Sequence, residues 1–299
     1  ACVPAGPLVP TNTNESCGSD VLAPLLAGLV TTNVATGAVV NEIAESIETT
    51  DSTTWTVTLK KGWKFHDGTE VTAQSFVDAW NWAAYAPNGQ ANNDWFSDIA
   101  GYGDLNPKAP EGGKAPAPSA DKMSGLEVVN DHQFRITLSR PVPGFVAQLT
   151  YKAFGPLPAA FFADPEAYGK KPIGAGAFRM ESGEPDLGYK LVAFDGYGGA
   201  QKPSIKGIEF RVYANGEAAY NDLLAGNLDL MPKIPQSKLV DGQWERDLEG
   251  RVLVQPQAAT RGLGMPWGDA NPQLAKPEVR QAIAMAIDRE RELSDTGRK

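Results

Sequence analysis

Apolar positions along the chain recur in two rhythms, and each predicts an element. In residues 55–60 Trp55, Val57 and Leu59 alternate with Thr56, Thr58 and Lys60, the period of a half-buried strand. A turn with His66, Asp67 and Gly68 follows. Thr72 is then placed to cap a helix whose Phe76, Val77, Trp80, Ala83 and Ala84 share one face. Near the start, Val21, Leu22, Leu25, Leu26 and Leu29 repeat with helical spacing behind Ser19 and Asp20, with Gly28 close to the end. That helix tolerates Pro24 only in its first turn. Further on, Phe134, Ile136 and Leu138 predict a strand that two prolines end, followed by a short helical run. Residues 205–231 read as strand, turn, helix, a stop at Gly226 and a second strand from about Leu228, a βαβ-like unit. Finally, Pro277 opens a helix with Val279, Ile283 and Ile287 at i, i+4 and i+8.

Short strands and helices interleaved with 31 Gly and 23 Pro imply many turns and an α/β or α+β layout of one or two domains. Residues 106–120, rich in Pro, Gly and Ala and without periodicity, read as a surface loop. No internal repeat of fixed period is present. The chain carries 27 basic and 36 acidic residues, a formal net charge of −9, with no basic block, so a nucleic-acid partner is not expected. No apolar run is long enough for a membrane span, and the N-terminus lacks the pattern of a signal peptide.

Cys2 and Cys17 are the whole thiol inventory, with His66 and His132 the only histidines, which excludes a structural zinc site. Three readings of the cysteines stay open: a disulfide closing a short loop, two buried thiols, or a lipid-anchored Cys2. The last is weakened because Ala1 precedes it. No cofactor or metal is expected.

Catalytic signatures are missing. There is no GxSxG, HExxH or phosphate-binding glycine loop, and the "PIGAGAF" stretch offers only the glycines of a tight turn. His66 and Asp67 form an imidazole–carboxylate pair in principle, but "HDG" is a turn sequence whose residues are expected to be solvated scaffolding. His132 in "NDHQF" has the same reading. The carboxylate pairs Glu42/Glu45 and Asp288/Glu292 are expected as solvated surface charge. An enzyme is not expected.

The order of the segments carries a resemblance. "WKFHDGTEVTAQSFVDAW", "NDHQFRITLSRPVPGF", "KPIGAGAFRM", "GNLDLM" and "EVRQAIAMAIDR" occur in that order over residues 21–290. Together the chain resembles the extracytoplasmic solute-binding proteins of ABC importers, dipeptide/oligopeptide-binding family, with an opening loop similar to that of actinobacterial members. The resemblance implies an α/β, periplasmic-binding-protein-like (type II) lobe with an inserted α+β subdomain. The implied layout is lobe I over 1–46 and 170–267, the inserted subdomain over 47–169, and the start of a second, largely absent lobe over 268–299. A lobe without its second wall is expected to expose apolar area and to self-associate.

The same resemblance implies a peptide ligand held in extended form by main-chain hydrogen bonds and by charge contacts at its ends, and delivery to an ABC transporter permease. It also implies an extracytoplasmic location, with the membrane reached only through a lipid anchor lost from this chain. Carried over by position, the ligand-facing residues are Asn14, Glu15, Ser16 and Cys17 before the first helix, Asn93 and Trp95 in "NNDWF", and Met231, Pro232 and Lys233 after "GNLDL". Glu15 is expected opposite a ligand ammonium and Lys233 opposite a ligand carboxylate. The family also takes up nickel complexes, sugars and opines, so peptide is its commonest ligand class. The alternative is an isolated lobe serving as an interaction module without ligand capture.

Overall fold

A computed structural model describes residues 2–110, 113–239, 242–254, 262–266 and 271–291. The chain divides into two compact units, residues 1–212 and 213–299.

In the first unit, β1 (Val30–Thr32) and β2 (Val39–Asn41) form an antiparallel hairpin. β3 (Ala44–Thr49), β4 (Thr54–Leu59), β5 (Leu126–Asn130) and β6 (Gln133–Thr137) form an antiparallel sheet of order β3-β4-β6-β5. β7 (Phe178–Glu184), β8 (Gly188–Ala193) and β9 (Gly207–Phe210) make a third antiparallel sheet.

The alternation of β4 buries Trp55, Val57 and Leu59 and leaves the threonines between them at least partly exposed. The helix Ala73–Ala84 covers that face. Thr72 occupies its N-cap, and its backbone N–H donates to Ser75 Oγ at 3.2 Å. Phe76 stacks on Phe134 of β6 at 5.8 Å, and Trp80 meets Phe134 and Phe154 edge-on at 5.7 and 5.3 Å. The Trp80 indole N–H, which would be orphaned in such a core, donates to the Phe154 carbonyl at 3.0 Å. A separate small core joins Leu8, Val21, Leu22 and Leu25 to Phe178, Met180, Tyr189 and Leu191 of β7 and β8.

The first helix differs from its sequence reading. It runs Ser16–Leu22, and the chain then tightens into a 3-10 turn at Ala23–Leu25. Pro24 has no N–H to continue the α-helical ladder, so the helix ends before it rather than starting there. Leu29 is fully buried but lies outside the helix, beside β1; its carbonyl accepts from the Glu42 and Ala44 amides.

In the "HDG" turn Asp67 and Gly68 are exposed as expected, whereas His66 is not. His66 is half-buried; its Nδ1 accepts the Gly174 N–H and its Nε2 faces the Gly176 carbonyl, both at 3.1 Å. An accepting Nδ1 requires the neutral imidazole with its proton on Nε2. Burial holds the pKa down to about 4. The Trp63 indole N–H donates to the Ala175 carbonyl at 3.1 Å, and Gly176 N–H donates to Leu25 O at 2.9 Å. The "PIGAGAF" loop is thus gripped on two sides, which is why it carries glycine: a Cβ on Gly174 would collide with the Leu25 carbonyl oxygen.

Glu42 likewise departs from the expected solvated charge. It accepts the Tyr197 hydroxyl at 2.7 Å and the Gly28 N–H at 3.1 Å, and burial raises its pKa. His132 Nε2 lies 3.9 Å from Glu70 Oε1. Asp288 is exposed, while Glu292 lies outside the described residues.

In the second unit, Asn215 caps the helix Gly216–Leu224 by accepting the Ala218 N–H at 2.9 Å, and Gly226 with φ +77° follows its end. No strand forms near Leu228 among the described residues. Leu230 is 79% exposed, so this segment lacks the covering layer that a buried parallel strand requires. The βαβ reading therefore fails at its second strand. The helix Pro277–Ala286 forms where its first-turn proline predicts, with none of its residues buried.

Candidate functional site

Three segments far apart in sequence meet at one edge of the first unit. Asn92 is the joint. It is 2% exposed, and its side-chain amide donates to the carbonyls of Pro10 and Thr13 at 3.0 Å each, while its backbone N–H reaches Thr11 O at 3.1 Å. Its Oδ1 accepts the Tyr151 hydroxyl at 3.1 Å. Thr11 Oγ1 donates to Gln90 Oε1 at 2.8 Å, and Asn12 Oδ1 accepts the Ala91 N–H at 3.0 Å. The opening loop is therefore stitched to residues 90–92, and the bonds of Thr11 to Gln90 and of the Asn92 amide to Pro10 and Thr13 are buried and costly to leave unmade.

On this base Trp95 stacks on Tyr151, with ring centroids 4.3 Å apart and planes at 21°. Trp95 remains 39% exposed, so the stack is in part accessible from solvent. Lys152 Nζ lies 4.5 Å from the Tyr151 ring centroid and 3.4 Å from its hydroxyl. Burial lowers the Lys152 pKa and the nearby Glu15 charge raises it again. Tyr102 and Tyr151 are pushed up, first by burial and then by the Asp94 carboxylate.

The structure gives the residues expected at the site unequal parts. Asn14 and Ser16 are exposed on the loop rim. Glu15 is the helix N-cap: its carboxylate accepts the N–H groups of Cys17 at 2.5 Å and Gly18 at 2.7 Å. Those bonds occupy one lone pair on each of its oxygens with helix amides. Cys17 is disulfide-bonded to Cys2, with Cα atoms 5.3 Å apart, which ties the N-terminal segment to the loop. Asn93 is internal wiring. Its Nδ2 donates to Gln90 O at 2.6 Å, and its Oδ1 accepts Tyr102 Oη–H at 2.6 Å and Asn106 Nδ2–H at 2.8 Å.

Met231 is partly buried in the second unit near Gly216 and Pro235, while Pro232 and Lys233 are exposed there. Sequence reasoning missed Asn92, Tyr151 and Lys152. The polar run "NNDWF" contained the first, but nothing in it distinguishes Asn92 from Asn93. Among the described residues no cluster of His, Cys, Asp and Glu fits a metal ion, and no helix is long and apolar enough to cross a membrane.

The mixed α/β fold that carries this aromatic stack has a type II periplasmic-binding-protein-like architecture, shared with its solved structural neighbours. The profile of bacterial extracellular solute-binding proteins, family 5, matches residues 38–295, and the chain belongs to that family. Among its relatives, the periplasmic murein peptide-binding protein MppA of Escherichia coli K12 is 30% identical over 276 residues, 90% of this chain and 48% of MppA. The oligopeptide-binding protein OppA of Bacillus subtilis 168 is 27% identical over 95% of this chain and 51% of its own length. Among solved structures, Haemophilus influenzae OppA in complex with the peptide RPPGFSPFR superposes with a TM-score of 0.71 at 26% identity, covering 83% of this chain and 48% of that one. The pheromone receptor PrgZ, at 24% identity, shares the fold with a TM-score of 0.84 over 98% of this chain and 57% of its own. The chain spans about half the length of the curated relatives it matches. Members of the family are substrate-binding proteins rather than enzymes, which agrees with His66 serving as a structural clamp.

Proposed function

We propose that this chain is the ligand-capturing part of an ABC importer's solute-binding component, which binds extended peptides and hands them to a membrane permease from an extracytoplasmic position. The observation that carries the reading is the Trp95–Tyr151 platform, held by buried Asn92 in a chain of this family. A ligand backbone lying along the loop 14–17 would make strand-like main-chain bonds while a side chain covers the exposed part of Trp95. By position in the family, Met231, Pro232 and Lys233 of the second unit are further candidates for ligand contact, and the family's cleft is completed by a second lobe. Lipid anchoring of a precursor belongs to the same proposal. The relatives' names support peptide as the ligand class: MppA is named for murein peptides and OppA for oligopeptides.

Native mass spectrometry of the protein with a mixed library of two- to seven-residue peptides tests this. Capture of peptides, reduced by Trp95→Ala, is the expected result. A chain that captures no peptide, with its fold intact by circular dichroism, would remove the proposal.

A further inference from the structure

We infer that Lys152 is a specificity residue of the platform, donating to a carboxylate of the bound ligand. The inference rests on the peptide-binding reading above and names the ligand chemistry that this wall prefers.

Four observations lead there. Lys152 stands beside Tyr151, the ring on which Trp95 stacks, so its ammonium adjoins the platform. The ammonium has three donors, and its hydrogen bond, to the Tyr151 hydroxyl, is long at 3.4 Å. Glu15, the carboxylate whose charge acts on it, already accepts from the Cys17 and Gly18 amides at the helix start. A partly desolvated cation with spare donors therefore stands beside the Trp95–Tyr151 stack, an arrangement completed by an anionic acceptor.

The fourth observation is rigidity. Lys152 begins a 3-10 turn, Lys152–Phe154, whose Ala153 and Phe154 are fully buried and whose Phe154 carbonyl is held by the Trp80 indole. The backbone that carries Lys152 is thus fixed before ligand arrives, which lowers part of the ordering cost of binding. The net charge of −9 disfavours anions at long range. Screening at physiological salt confines that field to about 8 Å, and discrimination then falls to the direct contact.

Two sources supply a carboxylate, the peptide's C-terminus and an acidic side chain, and one calorimetric series separates them. The probes are Ala-Ala-Glu-Ala-Ala, its Glu→Gln counterpart, and the C-terminally amidated form of each, titrated into the wild type, Lys152→Met and Lys152→Arg. Methionine keeps the stem packed on Tyr151, and arginine keeps the charge. The wild type should lose about tenfold in affinity when the relevant carboxylate is neutralised, by amidation or by Glu→Gln. Lys152→Met should bind charged and neutral forms alike, and Lys152→Arg should restore the preference. A residue that only supports the fold would weaken all four peptides equally when changed, and that result overturns the inference. So does a preference that survives in Lys152→Met, or a wild type indifferent to both neutralisations. In each of these cases peptide binding itself still stands, whereas failure of all four peptides to bind the wild type removes both readings.

Discussion

Acidification from pH 7 to pH 4 should loosen the grip of His66 on the loop 172–177. The neutral imidazole accepts one amide proton and donates one of its own, and a second ring proton would face the Gly174 N–H at 3.1 Å. Burial therefore lowers the folded pKa from 6.5 to about 4. An unfolded imidazole takes up its proton near pH 6.5, so between pH 6.5 and 4 the unfolded state binds more protons. The contribution of His66 is fully present above pH 6.5 and is lost as pH falls to about 4. At about 1.4 kcal/mol per tenfold change in proton affinity, the loss is roughly 3 kcal/mol. Other groups titrate over the same range, so the useful quantity is a difference. Urea unfolding followed by tryptophan fluorescence should show the wild type losing about 3 kcal/mol more than His66→Gln between pH 7 and 4. A proton-NMR titration reads the His66 pKa directly. A midpoint near 6.5, or equal acid losses in both proteins, would refute the clamp.

Other substitutions separate platform from core. Trp80→Ala, which empties a site enclosed by Phe76, Phe96, Phe134 and Phe154, should cost about 3–5 kcal/mol in urea titrations. Trp95→Ala should instead weaken peptide capture while leaving the unfolding midpoint nearly unchanged, because its ring is already partly in water; equal unfolding by both would mean that the platform is misplaced. Gly174→Ala should destabilise by about 1–3 kcal/mol through overpacking against the Leu25 carbonyl, measured by thermal melting. Reduction of Cys2–Cys17, whose ends are 15 positions apart in sequence, should lower stability by about 3 kcal/mol in the chain-entropy account, seen as a lower melting temperature in reducing buffer.

The parts of the fold that were legible in the sequence are those whose signal is local. β4 and the helix Ala73–Ala84 each show one period and one buried face, the helix with its Thr72 cap as well, and the structure follows them closely. The first helix was misread because Val21, Leu22, Leu25 and Leu29 are all buried, yet they are buried by a helix, a turn and a strand approach in succession. Burial alone cannot report which element supplies it. The strand expected near Leu228 had turn and composition in its favour, but a strand also needs a partner, and pairing is not written in the segment itself.

The same limit applies to the site. Trp95 stood out as an aromatic in a polar loop, whereas Tyr151 and Lys152 lie more than fifty residues further along the sequence and reach it only through the fold. The charges were hardest to read. Glu15 and His66 look like candidate chemistry in the sequence, and in the structure one caps a helix and the other clamps a loop. Backbone groups claimed both, and no spacing rule shows which amide or carbonyl a side chain will meet.

The most direct test of the platform is a backbone-amide NMR titration with a short peptide recovered from the library. The account predicts shift changes concentrated at residues 14–17, 92–96 and 150–152, growing together along one binding curve. Saturable binding whose shift changes fall elsewhere in the first unit and leave these three segments still would contradict it.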